Sequence, residues 1–424
     1  MPKLLLHSVC GALPYFTPHL WKQFKENQPL TSSLLILGVE LHNACIAPVY
    51  EPSAVPSKSG TQQKPTKKRK KTTIKDKKCG GKKLKGYSFQ GRDATEHFCI
   101  PEDVDVLLAP SFDLIGTYVE HSRKAKKDDS NDNLVRVVAS DKCVALPTSN
   151  GYIKADLDVY RDVVQNMNKS TCRKLQFISL YDDAPEHDTN KRKKASVERT
   201  LRWFHKTCQQ SASDKIECWG AVIGGNDMEQ RKACIERILT NMEDSANVPV
   251  CGLALVGVHR AENRDMYASI VQECLHTITS YENKRLQTCI LVANELEQII
   301  DAGVMGVNLI GTSLPVILSQ SARAICYCAG KDVLSLAKMG ESVFINLKND
   351  EFIHDSSPLM EGCSCFTCKR HTRSYINHLI KSKELLAEIL LFMHNLHQLL
   401  EVFFMLQKTV ESKDFNAIRS SLNL

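Results

Sequence analysis

Cys218-Trp219-Gly220-Ala221-Val222-Ile223-Gly224-Gly225 is an apolar run of strand length that stops at a pair of glycines, and residues 228–242 follow it at helical spacing. A strand that is apolar on both faces is buried on both faces. A helix that begins a few residues later carries the chain back to the next parallel strand. The same unit recurs on either side. Upstream, residues 175–180 read as a strand and 195–208 as a helix with Val197, Leu201, Phe204 and Cys208 on one face. Downstream, strand 250–256 precedes helix 264–279, strand 288–292 precedes helix 296–302, and strand 307–310 leads into residues 314–327. Units of roughly 30–40 residues that alternate in this way predict an α/β fold with a parallel sheet, either open and doubly wound or closed into a (β/α)8 barrel. No Gly-x-Gly-x-x-Gly follows the first strand, which argues against a dinucleotide fold. Gly224-Gly225 reads as a tight turn between strand and helix.

The first part of the chain is less regular. Residues 10–24 read as a turn around Pro14 and Pro18 followed by a short helix, and 34–39 as a strand. Further strands are expected at 104–108 and 135–139, a hairpin over 143–147 and 151–153 around Ser149-Asn150-Gly151, and a helix over 156–166. Residues 51–86 are poor in apolar residues and rich in Lys, so they are expected to be disordered. The C-terminal part is helical. Leu385, Leu386, Ile389, Leu390, Met393, Leu396, Leu399 and Leu400 fall at helical spacing, and a second amphipathic helix is expected over 403–422.

The net charge of +7 over 424 residues is unevenly placed. Residues 64–85 carry twelve Lys or Arg and one Asp, a local +11, which leaves −4 for the rest of the chain. The body of the protein is therefore not a basic nucleic-acid binder by composition. No uninterrupted apolar run is long enough for a transmembrane helix, and the apolar start at Leu4-Leu5-Leu6 is too short for a signal peptide. Seventeen cysteines, an odd number, in a long Lys-rich chain point to a reducing compartment. Cys172, Cys208, Cys234, Cys274 and Cys289 lie in or beside apolar patterns and read as buried thiols.

Three other cysteines are different. Gly362-Cys363-Ser364-Cys365-Phe366-Thr367-Cys368 places three thiols within six residues behind a glycine suited to a tight knuckle. Thiolates at this spacing with one imidazole make a closed tetrahedral site for Zn2+, structural and not catalytic because no position stays open. His371, His378, His394 and His397 are all candidates for the fourth ligand, and spacing alone does not choose among them.

Residues 362–379, with Glu384-Leu385-Leu386 and His394-Asn395-Leu396 downstream, resemble the zinc segment of the tRNA-guanine (queuine) transglycosylases. That family's pattern is Cys-x-Cys-x2-Cys with a distant His before an Asn. The resemblance implies one structural zinc held by Cys363, Cys365, Cys368 and His394. Glu198-Arg199-Thr200-Leu201-Arg202-Trp203, Trp219 to Gly225, and Gly11 to Pro18 are similar to further family segments. The implied fold is a (β/α)8 TIM-like barrel with a C-terminal helical zinc-binding subdomain. Residues 1–50 would open the barrel, 51–133 form an insertion carrying the Lys-rich segment 64–85, 134–350 form the main part of the barrel, and 351–424 form the zinc subdomain and dimer interface. Members carry more residues ahead of the Gly11 to Pro18 segment, so part of the barrel's amino-terminal cap is expected to be missing.

Catalytic members use an Asp nucleophile that attacks the ribose C1′ of the wobble nucleotide. Here the matching stretch is Gly306-Val307-Asn308-Leu309-Ile310-Gly311-Thr312-Ser313-Leu314-Pro315, and the nucleophile position falls on Gly311 or on Asn308. The family's Thr-Arg after the proline is Val316-Ile317, its Gln-Gly-Gly is Ile223-Gly224-Gly225, its Leu-Ala-Val-Gly-Glu loop lacks the acid, and its base-side Asp is not found. Asp182 lies near a family base-reading Asp, but reads equally as a solvated carboxylate at a strand end. No catalytic or cofactor-binding residue is expected. The resemblance implies a non-catalytic member that pairs with the catalytic queuine tRNA-ribosyltransferase subunit as a heterodimer, or self-associates, and works on tRNA. It further implies a cytoplasmic protein, peripheral at the mitochondrial outer membrane. The alternatives are a catalytic transglycosylase with a displaced nucleophile, or an unrelated zinc-stabilised barrel enzyme.

Overall fold

The computed structural model describes residues 1–8, 13–27, 35–41, 99–125, 137–148, 151–168, 172–210, 216–244, 249–281, 286–327 and 332–412. Residues 64–85 and the remainder of the expected insertion up to 98 lie outside these, as do 413–424.

Eight apolar segments pair in parallel and close on themselves. In chain order they begin with β1 (Lys3–His7), followed by helix α1 (Pro18–Asn27), then β2 (Leu35–Glu40) and β3 (Asp105–Ala109). After β3 come α2 (Leu114–Ala125), an antiparallel hairpin of β4 (Cys143–Thr148) and β5 (Gly151–Asp156), and α3 (Leu157–Asn168). Regular units then run β6 (Leu175–Ile178), α4 (Asn190–Gln210), β7 (Glu217–Val222), α5 (Met228–Asp244), β8 (Val250–Leu255) and α6 (Arg264–Thr279). The last units are β9 (Gln287–Ile290), α7 (Leu296–Met305), β10 (Leu309–Thr312) and α8 (Leu314–Gln320). The barrel order is β1-β10-β9-β8-β7-β6-β3-β2, and Leu5 closes it by pairing with both Gly311 and Ile36. The closed alternative of the two sheet architectures is the one adopted. Closure leaves no unpaired edge, and Leu4, Leu5, Leu37, Val106, Leu107, Leu253 and Ile310 are all fully buried.

Two expectations are corrected. Residues 137–139 form no strand; Ala139 alone makes an isolated bridge to Val144, beside the hairpin that Tyr118 docks by donating to the Ala145 carbonyl. Among the described residues the apolar C-terminal pattern forms one helix, not two. Beyond the small antiparallel pair β11 (Arg323–Ile325) and β12 (Phe344–Asn346), with α9 (Val333–Met339) between them, come α10 (Phe366–Arg370) and α11 (Arg373–Lys381). A single helix α12 (Leu385–Glu411) then runs unbroken past Phe403.

Helix α12 joins two cores. Ala387, Leu390 and Leu391 pack with Ala324, Leu347, Leu359 and Ile376 in a small satellite core. Phe392 to Leu406 belong to the barrel's main core. Near its start Phe392 meets Phe16 at 5.5 Å and Glu388 accepts from the Tyr15 hydroxyl at 2.8 Å; near its end Gln407 donates to the Pro2 carbonyl at 3.0 Å. The helix is long and apolar enough to cross a membrane by composition, but 78% of its most apolar window is buried inside the protein.

Candidate metal centre and barrel mouth

Gly362 has φ 76°, a left-handed conformation that turns the chain into the knuckle. Cys365 caps α10, its sulfur accepting from the Cys368 amide at 3.3 Å, and Cys363 accepts from the Cys365 amide at 3.5 Å. These bonds fold three thiols around one point. His394, wholly buried in the middle of α12, supplies the fourth group. Its Nδ1 lies 3.9, 3.5 and 3.3 Å from the sulfurs of Cys363, Cys365 and Cys368, and all four ligand atoms lie within 4.8 Å of one another. Thiolate and imidazole ligands on a tetrahedral ion are separated by roughly 3.6 Å, so the spacing fits a metal.

The surroundings fix the imidazole. His394 Nε2–H donates to the Ile325 carbonyl at 2.7 Å, which leaves the Nδ1 lone pair facing the thiols. Asn395 clasps the same strand: its Oδ1 accepts from the Ile325 amide at 2.9 Å and its Nδ2 donates to the Arg323 carbonyl at 3.0 Å. Gln398 Nε2 donates to Cys363 Sγ at 3.0 Å. The other histidines do not converge. His371 stacks on Tyr375, His378 is exposed, and His397 faces Ser364 at 3.5 Å. Hydrogen bonds from Cys365 and Cys368 hold Cys363 well below the ordinary thiol range, and Cys365 is pushed far above it. A divalent ion at this point would stabilise all three thiolates together.

The barrel mouth, at the C-terminal ends of the strands, is where barrel enzymes place their chemistry. Here it is filled. The His7 ring at the end of β1 stacks on Phe112, just past β3, at 4.0 Å and 3°. Burial lowers His7 to about 4, so the ring is neutral at physiological pH. Its Nε2–H donates to the Leu291 carbonyl at 2.7 Å, and Nδ1 accepts from the Ser313 hydroxyl at 2.8 Å. Beside this stack Arg260 bridges two acids, donating to Asp113 at 2.8 Å and to Asp183 at 2.6 Å. His259 lies 3.2 Å from Asp113. Burial alone would raise Asp113, but the His259 hydrogen bond and the Arg260 charge outweigh it and hold the carboxyl well below its usual range.

The two positions proposed for a nucleophile separate cleanly. Asn308 precedes β10, at the opposite end of the barrel, where its side chain accepts from the Thr288 amide at 2.9 Å. Gly311 is within β10. A Cβ built on it would lie 2.0 Å from the Leu291 carbonyl oxygen and 2.9 Å from His7 Nε2. Asp182 is corrected: it is not solvated but fully buried, held by both Arg192 guanidinium nitrogens at 2.8 Å and by Arg199. Sequence reasoning missed His7, Phe112, Asp113, His259 and Arg260. Each sits at the end of a barrel strand or within a few residues of it, so a polar or aromatic residue immediately after an apolar strand was the available signal.

The family profile described as queuine tRNA-ribosyltransferase matches residues 176–423, more than half of the chain. The chain is 27% identical to the queuine tRNA-ribosyltransferase accessory subunit 2 of Trichoplax adhaerens, over 68% of this chain and 74% of that protein. It is 24% identical to the protein of the same name from Caenorhabditis elegans, over 64% and 69%. It is 26% identical to the queuine tRNA-ribosyltransferase of Gloeobacter violaceus, over 56% and 58%. A parallel eight-stranded barrel, a Cys3His cluster at the expected residues and a matching profile across both lead to one assignment: this chain belongs to the queuine tRNA-ribosyltransferase family.

Proposed function

We propose that the chain is a non-catalytic subunit of a queuine tRNA-ribosyltransferase. It pairs with a catalytic homologue and supports exchange of guanine for queuine at the wobble position of tRNAs with GUN anticodons. The observation that carries this reading is the space at Gly311. Base exchange of this kind needs a carboxylate to attack the ribose. At Gly311 even a methyl group would meet the Leu291 carbonyl at 2.0 Å, so no acid can stand there. Among the described residues Asp113 and Asp183 at the mouth are both committed to Arg260, Asp182 is held by Arg192 and Arg199, and Glu40 accepts from the Ser111 hydroxyl and the Phe112 amide.

The metal is Zn2+ in this reading, because three thiolates and one imidazole in a tetrahedron suit that ion and leave no open position. Cys363, Cys365, Cys368 and His394 would hold it, and its contribution is to tie α10 to α12. The zinc subdomain also supports pairing. Ile353, Tyr375, Leu385 and Leu386 are exposed large apolar side chains on this part of the molecule. Apolar surface of this kind is what a stable partner covers.

The test is co-purification with a catalytic homologue, followed by incorporation of labelled queuine into tRNA by each chain alone and by the pair. Exchange by the pair but not by this chain alone is the expected result. Incorporation by this chain alone would overturn the reading in favour of a catalytic subunit with a displaced nucleophile.

A further inference from the structure

Helix α4 is the most unbalanced charged element among the described residues. Its sequence from Asn190 to Gln210 holds seven Lys or Arg and a single acid, Glu198, which is itself paired with Arg237. The chain outside the 64–85 segment is net acidic, so this concentration is not a property of the surface at large. The placement is also unfavourable for the helix. Lys191, Arg192, Lys193 and Lys194 are consecutive at its N-terminal end, the positive end of the macrodipole, with no acid in the first turn. Asp182 holds Arg192 and Glu186 holds Lys193 at 3.0 Å, while Asp188 lies just ahead of the helix. Lys191 and Lys194 have no carboxylate partner among the described residues.

The exposed side chains form one stripe. Lys191, Lys194, Glu198, Arg202, Lys206 and Gln209 recur every three or four residues, and all are exposed. From Lys191 to Lys206 the stripe extends about 22 Å, enough to follow several successive phosphates of one strand. It begins at the barrel mouth, because α4 follows β6 through the loop that carries Asp182 and Asp183. At the mouth itself the described polar groups are engaged with one another, His7 in its stack with Phe112 and Arg260 with Asp113 and Asp183. A basic stripe along an exposed helix suits a partner that is anionic and extended, and that needs no pocket.

We infer that the exposed face of α4, through Lys191, Lys194, Arg202 and Lys206, is a contact surface for the RNA phosphate backbone. This inference rests on the reading that the chain serves a tRNA-modifying complex. Contacts of this kind position the RNA without reading its bases, and their strength falls with salt because releasing counterions gains less entropy as the bulk salt rises.

The test uses the full chain, alone and co-purified with a catalytic homologue, with a tRNA bearing a GUN anticodon titrated over a salt series. Lys191→Glu with Lys194→Glu is expected to weaken binding about tenfold and to lower the salt slope by roughly 1.5. Lys191→Arg with Lys194→Arg is expected to retain both. Lys22→Glu with Lys232→Glu changes net charge equally on other exposed positions and is expected to have a much smaller effect. Equal losses in the two charge-reversed pairs, or no loss at Lys191 and Lys194, would overturn the surface. Failure to co-purify with the catalytic homologue would instead refute the subunit reading, and the surface is then decided by the chain alone.

Discussion

Replacing Gly311 with Ala tests the crowding within β10 most directly. The new Cβ would stand 2.0 Å from the Leu291 carbonyl oxygen, more than 1 Å inside ordinary contact, and the obstacle is backbone in a closed barrel. Forcing such contacts in a packed core costs about 1–3 kcal/mol. The same carbonyl accepts from His7 Nε2–H, and 2.9 Å from the new carbon to that nitrogen leaves the ring no room to follow. Losing that buried bond adds about 1–3 kcal/mol. Together these give on the order of 3–5 kcal/mol, a melting temperature lower by roughly 5–10 °C. Gly306 is the internal control. Its φ is 98°, yet a Cβ there would meet nothing within 4 Å, so Gly306→Ala isolates backbone strain at about 1 kcal/mol. Thermal denaturation of the two variants beside the parent separates space from strain. Gly311→Asp should be at least as destabilised and should not restore queuine incorporation by the chain alone. A Gly311→Ala protein that melts within about 1 °C of the parent would refute the steric reasoning.

Cys365→Ser should abolish binding of the ion and lower stability by about 3 kcal/mol or more, read as metal content and melting temperature; full stability without bound metal would refute the structural role. Arg260→Ala leaves Asp113 and Asp183 without their shared counter-charge and should cost about 3–5 kcal/mol in denaturant unfolding, partly recovered by adding Asp183→Asn. His7 makes stability depend on pH. Its folded value is about 4 against 6.5 in the unfolded chain, so the unfolded state binds more protons between these values. Stability is fully present above about 6.5 and falls as pH drops toward 4, by on the order of 3 kcal/mol. His7→Phe should flatten that window, and an unchanged slope would count against a buried neutral ring.

The barrel was legible because each regular strand is buried on both faces and the helices between them carry one apolar stripe. The 264–279 helix has the extent that its pattern gives. The hairpin was legible from Ser149-Asn150-Gly151 between two apolar runs. Helix α12 was read as two because it changes partners. Its first turns bury Ala387, Leu390 and Leu391 in the satellite core, and its later turns bury Phe403 and Leu406 in the barrel, so no single face persists. The Asp182 environment was not legible, since its arginines stand ten and seventeen residues away and only the α4 packing brings both back. The choice of His394 over His397 could not come from spacing. It depends on a carbonyl at Ile325, contributed by a strand almost seventy residues earlier.

That carbonyl ties the Cys3His cluster to the rest of the fold. His394 links the cluster to Ile325, and Asn395 beside it holds both the Ile325 amide and the Arg323 carbonyl. Two adjacent residues of α12 thus connect the cysteine cluster, the β11 strand and the long helix. The same helix lies along α7 and α8 and reaches β1 at Pro2, beside the β1–β10 seam that closes the barrel. Whatever displaces the cluster therefore displaces the helix that covers this seam. Acids of the mouth can be neutralised locally, as Arg260 does for Asp113 and Asp183. The cysteines have no comparable local substitute, because what they support is the position of a helix shared by both cores.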